Sequence, residues 1–207
     1  CKQVGISFMS SAFSVNDAKE IDPYVSIHKI ASFEINHVSL LDFLASTGKP
    51  LIISTGASTF VEIDFVVKYL QKKGFTQLAL LQCTSKYPSA LEKLNLSTIP
   101  VIRNRYNLPV GFSDHSVDPI IAPIMSLAFG STIIEKHFTL DKTLPGPDHA
   151  FALNPEELST MIRSIRNASQ TIGSGKKEIL DVEEELRKFA TRSIQATKKI
   201  TKGDILK

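Results

Sequence analysis

The sequence predicts an α/β fold, a parallel (β/α)8 barrel lacking about its first two β/α units. Three observations predict it. Short apolar runs alternate with longer amphipathic stretches, the pattern of buried parallel strands joined by helices. Six such units are complete by about residue 173, whereas a closed barrel needs eight. The chain has 207 residues, short of the roughly 250 of a full barrel, and two further units of roughly 30 or more residues would make up the missing length. A six-stranded open doubly wound sheet satisfies the same count and stands as the rival.

The strand-like runs are Gly5–Met9, Val25–Ile30, Pro50–Ser54, Gln77–Cys83, Val110–Ser113 and Thr132–His137. Between them, Phe60–Lys73 reads as a helix with Val61, Phe65, Tyr69 and Leu70 at helical spacing. Thr59 and Glu62 form a capping-box pattern at its start, and Lys72, Lys73 and Gly74 end it. Asp118-Pro119 opens a second helix through Ile121, Ile124, Met125 and Leu127 to Gly130. Asn154-Pro155-Glu156-Glu157 supplies an N-cap, a first-turn proline and first-turn acids for a third, which runs towards Gly173. Lys176–Lys188 is charge-dense and reads as a solvated linker helix. Arg192–Ala196 and Lys199–Ile205 read as two short strands. The domain boundaries follow: a barrel over 1–175, a linker helix over 176–190 and the start of a small further domain over 191–207.

Composition narrows the function classes. Hydrophobic residues make up 43% and charged residues 22% of the chain, ordinary values for a globular protein. The 24 basic and 21 acidic residues are scattered without a basic stripe, so no nucleic-acid partner is expected. No apolar run is long enough for a membrane span, so no membrane partner is expected. Two cysteines are too few for a disulfide framework, and a cytoplasmic location is expected. The N-terminus has neither a signal core nor a Met, and the chain is read as a fragment of a longer one.

Polar residues cluster at the end of each apolar run, where parallel α/β folds build their sites. Ser113 and His115 share one face of their strand, with Asp114 opposite, and Glu135 and His137 share a face with Lys136 opposite. Two imidazoles and a carboxylate can therefore converge, a donor set suited to a divalent transition metal with positions left for substrate oxygens. Ser11, Ser32, Ser54, Ser85 and Ser113 offer a ring of hydroxyls that, with Lys29, can hold a phosphate or carboxylate. The stiff loop Pro145–His149 can carry Asp148 or His149 into the site. His28 and His37 read as ordinary polar residues, and Cys83 as a buried thiol rather than a nucleophile.

In this order the tips resemble the sialic acid synthase family, which includes the pseudaminic and legionaminic acid synthases. The matching stretches are Phe8–Ser14, Lys29–Ile35, Gly48–Pro50 with Ser54–Gly56, Cys83–Ser85 with Tyr87-Pro88, and Asn95-Leu96. Gly111–His115, Glu135–Asp141 and Gly146–His149 complete them. Arg192-Ser193 and Ile200–Gly203 resemble the entry to the family's antifreeze-like domain. Ser11-Ala12 departs from the Thr-Pro of many members, and Ser85 from the Asn of some. Phe33–Ile35 and Ser85–Tyr87 lean towards the pseudaminic branch, His149 towards the sialic and legionaminic branches.

The resemblance implies a (β/α)8 barrel followed by that small domain, in a domain-swapped homodimer. It implies condensation of phosphoenolpyruvate with an open-chain N-acylated hexosamine, giving a nonulosonic acid and phosphate, with Mn²⁺ or Mg²⁺ as cofactor. Carried over by motif, His115 and His137 are metal ligands. Ser11, Lys29, Ser32, Ser54, Ser85 and Ser113 line the phosphoenolpyruvate site. Tyr87 lies beside the substrates, Glu135 near the reacting carbons, and Asp148 on the sugar. Two other readings remain beside it: a Schiff-base aldolase using Lys29 or Lys136, and a fragment that binds without turnover.

Overall fold

In the computed structural model, which describes residues 1–205, five strands form one all-parallel sheet in sequential order. They are β1 (His28–Ile30), β2 (Leu51–Ser54), β3 (Leu78–Cys83), β4 (Val110–Asp114) and β5 (Ile134–Lys136). Helices α2 (Val38–Ser46), α3 (Phe60–Lys72), α4 (Thr98–Tyr106) and α5 (Ile121–Ala128) connect them in turn. Helix α1 (Val15–Ile21) precedes β1, and α6 (Pro155–Thr171) follows β5. Sequential parallel order is the arrangement of a barrel wall and departs from the reversed order of a doubly wound sheet. The sheet curls as a partial barrel.

The predicted strand over 5–9 is not formed. Lys2–Val4 is a 3₁₀ turn, and all of residues 1–9 are exposed. Only Ser11 reaches the sheet, through an isolated parallel bridge to Lys29. A strand exists only where its backbone finds ladder partners, and none pairs with Gly5–Met9 among the described residues. Five units therefore stand where six are expected. The chain divides into two compact units, Cys1–Ile172 and Gly173–Lys207. In the second, residues 176–180 are not helical, Asp181–Glu183 is a 3₁₀ turn, and the helix is α7 (Glu184–Ala190). The two strands expected over 192–205 are absent among the described residues.

The core lies between the sheet and the helices. Ile30, Leu51, Ile53, Leu80, Val110 and Phe112 face Leu40, Leu41, Leu44, Ile63, Val67, Leu70, Ile99 and Ile102. Helix α3 carries two apolar stripes, the residues at the spacing read from the sequence and a second set that packs inward. Ile63, Val66, Val67 and Leu70 are buried, while Val61 is 79% exposed and Phe65 48% exposed. Leu70 alone belongs to both the expected and the buried set. On the outer face Phe65 stacks on Tyr69, whose hydroxyl donates to Asp42. The capping box at Thr59 and Glu62 forms as expected. Helix α5 likewise buries its small residues Ala122 and Ser126 and leaves Ile121 and Met125 exposed. Helix α6 begins with a capping box between Asn154 and Glu157, with Pro155 in its first turn.

Gly111 is required by close approach, because a Cβ there would lie 2.5 Å from the Ile133 carbonyl oxygen of the adjacent strand segment. Asp64 ties α3 to α4: Arg105 donates to both its oxygens, at 2.8 and 2.6 Å, and the Tyr106 hydroxyl donates at 2.8 Å. Arg105, then Tyr106, hold the Asp64 carboxyl well below the usual carboxylate range, and burial opposes them more weakly. Burial first and Asp64 second push the Tyr106 phenol up to about 12. Because Asp64 binds its proton less readily when folded, its contribution is full above the ordinary aspartate pKa of about 4 and fades as pH falls below it. The Asp64→Asn variant is therefore expected to lose less stability than the parent between pH 5 and 2, measured by urea unfolding at each pH.

Candidate functional site

The C-terminal ends of the strands surround a cavity of about 310 Å³ lined by Ser11, Lys29, Ser32, Ser54, Cys83, Tyr87, Ser113, His115, Glu135 and His137, among others. Register places these groups. Cys83 pairs with Ser113 and Ser113 with Glu135, so the three form one row across β3, β4 and β5. Side chains in one row of a parallel sheet share a face. The next row pairs Asp114 with Lys136 on the opposite face, where they make a buried ion pair at 2.6 Å. The alternation read from the sequence thus sorts the two strand tips as expected.

Lys29 is 5% exposed and crosses the floor of the cavity. Its ammonium donates to Ser54 Oγ at 2.8 Å and to the Ile30 carbonyl at 3.2 Å, and lies 3.4 Å from Glu135 Oε2. Glu135 Oε1 accepts from Ser113 Oγ at 2.7 Å. Ser32 Oγ accepts from the Gly56 amide at 3.0 Å and lies 3.6 Å from Cys83 Sγ. Ser85 is placed beside this group. Its hydroxyl oxygen is buried without a hydrogen-bond partner. A Cβ on Gly56 would collide with Ser85 Oγ and lie 2.8 Å from both Cys83 Sγ and Ser32 Oγ. The bare glycine backbone is what lets three polar side chains meet there.

Above the hydroxyls stands a cluster of rings. Tyr87 lies over His115 with centroids 4.0 Å apart, and the two imidazoles are 5.3 Å apart. Phe151, 6% exposed, packs on His137 at 5.0 Å. His115 Nδ1 donates to the Thr84 carbonyl at 2.8 Å, with Cys83 Sγ at 3.8 Å. This fixes the tautomer and leaves Nε2 with its lone pair free. Burial opposes the charged form of His115, but Cys83, the Thr84 carbonyl and Glu135 together hold its pKa above the ordinary value. Burial and then the neighbouring His115 push His137 below it, against Asp148 and Glu135. Burial raises the Tyr87 phenol, with smaller contributions from Cys83, Asp148 and Glu135. Among the described residues no three His, Cys, Asp or Glu side chains converge as a metal-coordinating group. The imidazole pair is the nitrogen donor set of the cavity.

Asp148 lies at the rim, its carboxylate 3.6 Å from His137 Nδ1 and its side chain 54% exposed. His149 turns away from the cavity to Thr139. His28 pairs with Asp22 at 2.9 Å and His37 with Glu34 at 3.2 Å, both outside the cavity. Sequence reasoning missed Phe151, which carries no polar signal, and assigned Cys83 no contact with His115.

The family model described as the NeuB family matches residues 1–177. N,N'-diacetyllegionaminic acid synthase of Legionella pneumophila is 40% identical over 97% of this chain and 57% of its own length. Pseudaminic acid synthase of Campylobacter jejuni is 38% identical over 97% of this chain and 58% of its own length. The chain thus spans somewhat over half of these relatives. Among solved structures, the N-acetylneuraminic acid synthetase of Leptospira borgpetersenii, in complex with citrate, superposes with a TM-score of 0.84 at 34% identity, covering 91% of this chain and 66% of that one. The parallel barrel wall, the hydroxyl and lysine floor, and the paired imidazoles are therefore features of a chain that belongs to the NeuB family.

Proposed function

We propose that this chain carries the condensing site of a sialic-acid-type synthase, joining phosphoenolpyruvate to an open-chain N-acylated hexosamine with release of phosphate. The observation that carries the reading is the convergence of Lys29, the hydroxyls of Ser11, Ser32, Ser54 and Ser113 and the His115–His137 pair on one cavity at the strand ends, with Ser85 buried beside Ser32 and Cys83. A buried ammonium among hydroxyls is built for an anion. The unpartnered Ser85 Oγ favours a ligand oxygen, since a buried hydroxyl left without a bond is costly.

In this reading Lys29, Ser11, Ser32, Ser54, Ser85 and Ser113 hold the phosphate and carboxylate, and so orient C3 of phosphoenolpyruvate towards the sugar aldehyde. C3 forms the new carbon–carbon bond, water adds at C2, and the C2–O bond to phosphate breaks. Glu135, held between Ser113 and Lys29, takes a proton from the water that adds at C2 and returns one to the aldehyde oxygen as it becomes a hydroxyl. Tyr87 covers the cavity on the imidazole side, and Asp148 receives hydroxyls of the sugar chain. His115 through Nε2, together with His137, would hold Mn²⁺ or Mg²⁺, with open positions left for substrate oxygens. When bound, that ion supplies Lewis-acid polarisation of the aldehyde.

The Schiff-base reading finds less support. Lys136 is locked to Asp114 on the far face, and the Lys29 ammonium is held by three oxygen partners. The test is phosphate release from phosphoenolpyruvate with Mn²⁺ and a panel of N-acetylhexosamines. It is run with the chain alone and with the chain grafted into the Legionella synthase in place of its matching segment. Hexosamine-dependent phosphate release is expected. A pyruvate adduct trapped by borohydride on Lys29, without phosphate release, would replace the synthase by the aldolase.

A further inference from the structure

The loop after β5 carries Asp148 and leads into the Leu153 bridge. Its base is closed by Thr139 N–H donating to the Leu153 carbonyl and Leu153 N–H donating to the His137 carbonyl, each at 2.9 Å. Inside the closure Thr139 is 3% exposed, and its hydroxyl has three partners. It donates its one proton to the Asp141 carbonyl at 2.9 Å and accepts from the Asp141 amide at 3.2 Å. All three contacts are satisfied together when His149 donates from Nδ1, at 2.7 Å. A hydroxyl with one donated and two accepted bonds is saturated, which makes this a specific latch.

The latch shapes the tip of the loop. The His149 ring lies over Gly146, where a Cβ would be 3.1 Å from its Cδ2, and Gly146 has φ of 140°, which a side chain would resist. The Ala152 amide donates to the Asp148 carbonyl at 3.1 Å, closing a turn around His149. Asp148 immediately precedes the latched residue and faces His137 at 3.6 Å. The backbone at 148–149 therefore sends one side chain to the cavity rim and anchors the other in the loop interior.

We propose that His149 is a positioning residue, whose bond to Thr139 holds the 140–152 loop so that Asp148 meets the hydroxyls of an N-acylated hexosamine at the rim. The sugar half of this statement rests on the synthase reading; the loop half rests on the geometry alone. The two are tested separately on the chain. Hydrogen exchange at the Ala152 and Leu153 amides reads the loop. Calorimetric titration with Mn²⁺ present reads binding of phosphoenolpyruvate and of N-acetylmannosamine, N-acetylglucosamine and N-acetylgalactosamine as probes.

His149→Ala and Thr139→Val are each expected to speed loop exchange about tenfold, as loss of one buried hydrogen bond does. Each should weaken binding of the hexosamine that the parent takes by about tenfold, with phosphoenolpyruvate binding unchanged. His149→Asn, which keeps a donor near the Nδ1 position, should restore both. The double variant should be no worse than either single one. Unchanged exchange in His149→Ala overturns the latch. Equal losses for hexosamine and phosphoenolpyruvate, or no rescue by Asn, overturn its positioning role. If the parent binds none of the hexosamines, the sugar assignment falls, and loop exchange alone decides whether His149 is a latch.

Discussion

Replacing Lys136 by methionine is expected to cost the barrel unit about 3–5 kcal/mol, the usual result of stripping one partner from a buried ion pair. Its ammonium meets Asp114 at 2.6 Å, and the two side chains are 3% and 0% exposed. The same ammonium donates to the Ser116 carbonyl at 2.6 Å and the Asp118 carbonyl at 3.2 Å, while Asp114 accepts from the Ser116 amide at 2.8 Å. One lysine thus ties β5 to β4 and to the turn that leaves it. Methionine keeps the length and removes the charge, so Asp114 is left buried and unpaired. The double variant Asp114→Leu with Lys136→Met leaves no orphan charge and should recover part of the loss. Urea unfolding of the two variants checks this, and a change below about 0.5 kcal/mol for the single variant would show that the pair is dispensable.

His115→Ala and His137→Ala are each expected to lower Mn²⁺-dependent phosphate release by at least about a hundredfold in the grafted enzyme. The expectation rests on the paired rings, 5.3 Å apart, and on the free Nε2 left when His115 Nδ1 donates to Thr84. Mn²⁺ binding followed by electron paramagnetic resonance gives a readout independent of turnover. Both variants should lose it, while circular dichroism stays that of the parent. Full activity in either variant would remove that histidine from the metal assignment.

Where a period alone decides the outcome, the sequence is a good guide. Residues two apart on a strand share a face, and this sorted Ser113 and His115 from Asp114, and Glu135 and His137 from Lys136, before any coordinates. The helix starts at Thr59 and Asn154 were legible because capping is a local hydrogen-bond pattern. What depends on neighbours was not legible. Gly5–Met9 has strand-like residues but no ladder partner among the described residues, and the same holds for the runs over 192–205. Which stripe of α3 turns inward was not legible either, because Val61, Phe65 and Tyr69 are apolar like Ile63, Val66 and Val67, and only packing chooses between them. Phe151 and the His149 latch were out of reach for a related reason. Phe151 has no polar signal, and His149, though a candidate for the site, gives no sign in the sequence that its partner is Thr139.

The division of labour at the tips of β4 and β5 also bears on how such a chain can change over generations. The outward row is dry and intolerant: Asp114 and Lys136 stand or fall together. On the inward side the tip of β5 is open, with the Glu135 and His137 side chains 36% and 30% exposed, while Ser113 and His115 on β4 are buried. Replacements of Glu135 or His137 therefore disturb less packing than replacements of Asp114 or Lys136, and the wall behind them is held constant. A scaffold with this asymmetry can change at the tip of β5 by small steps, none of which has to pass through an unfolded ancestor.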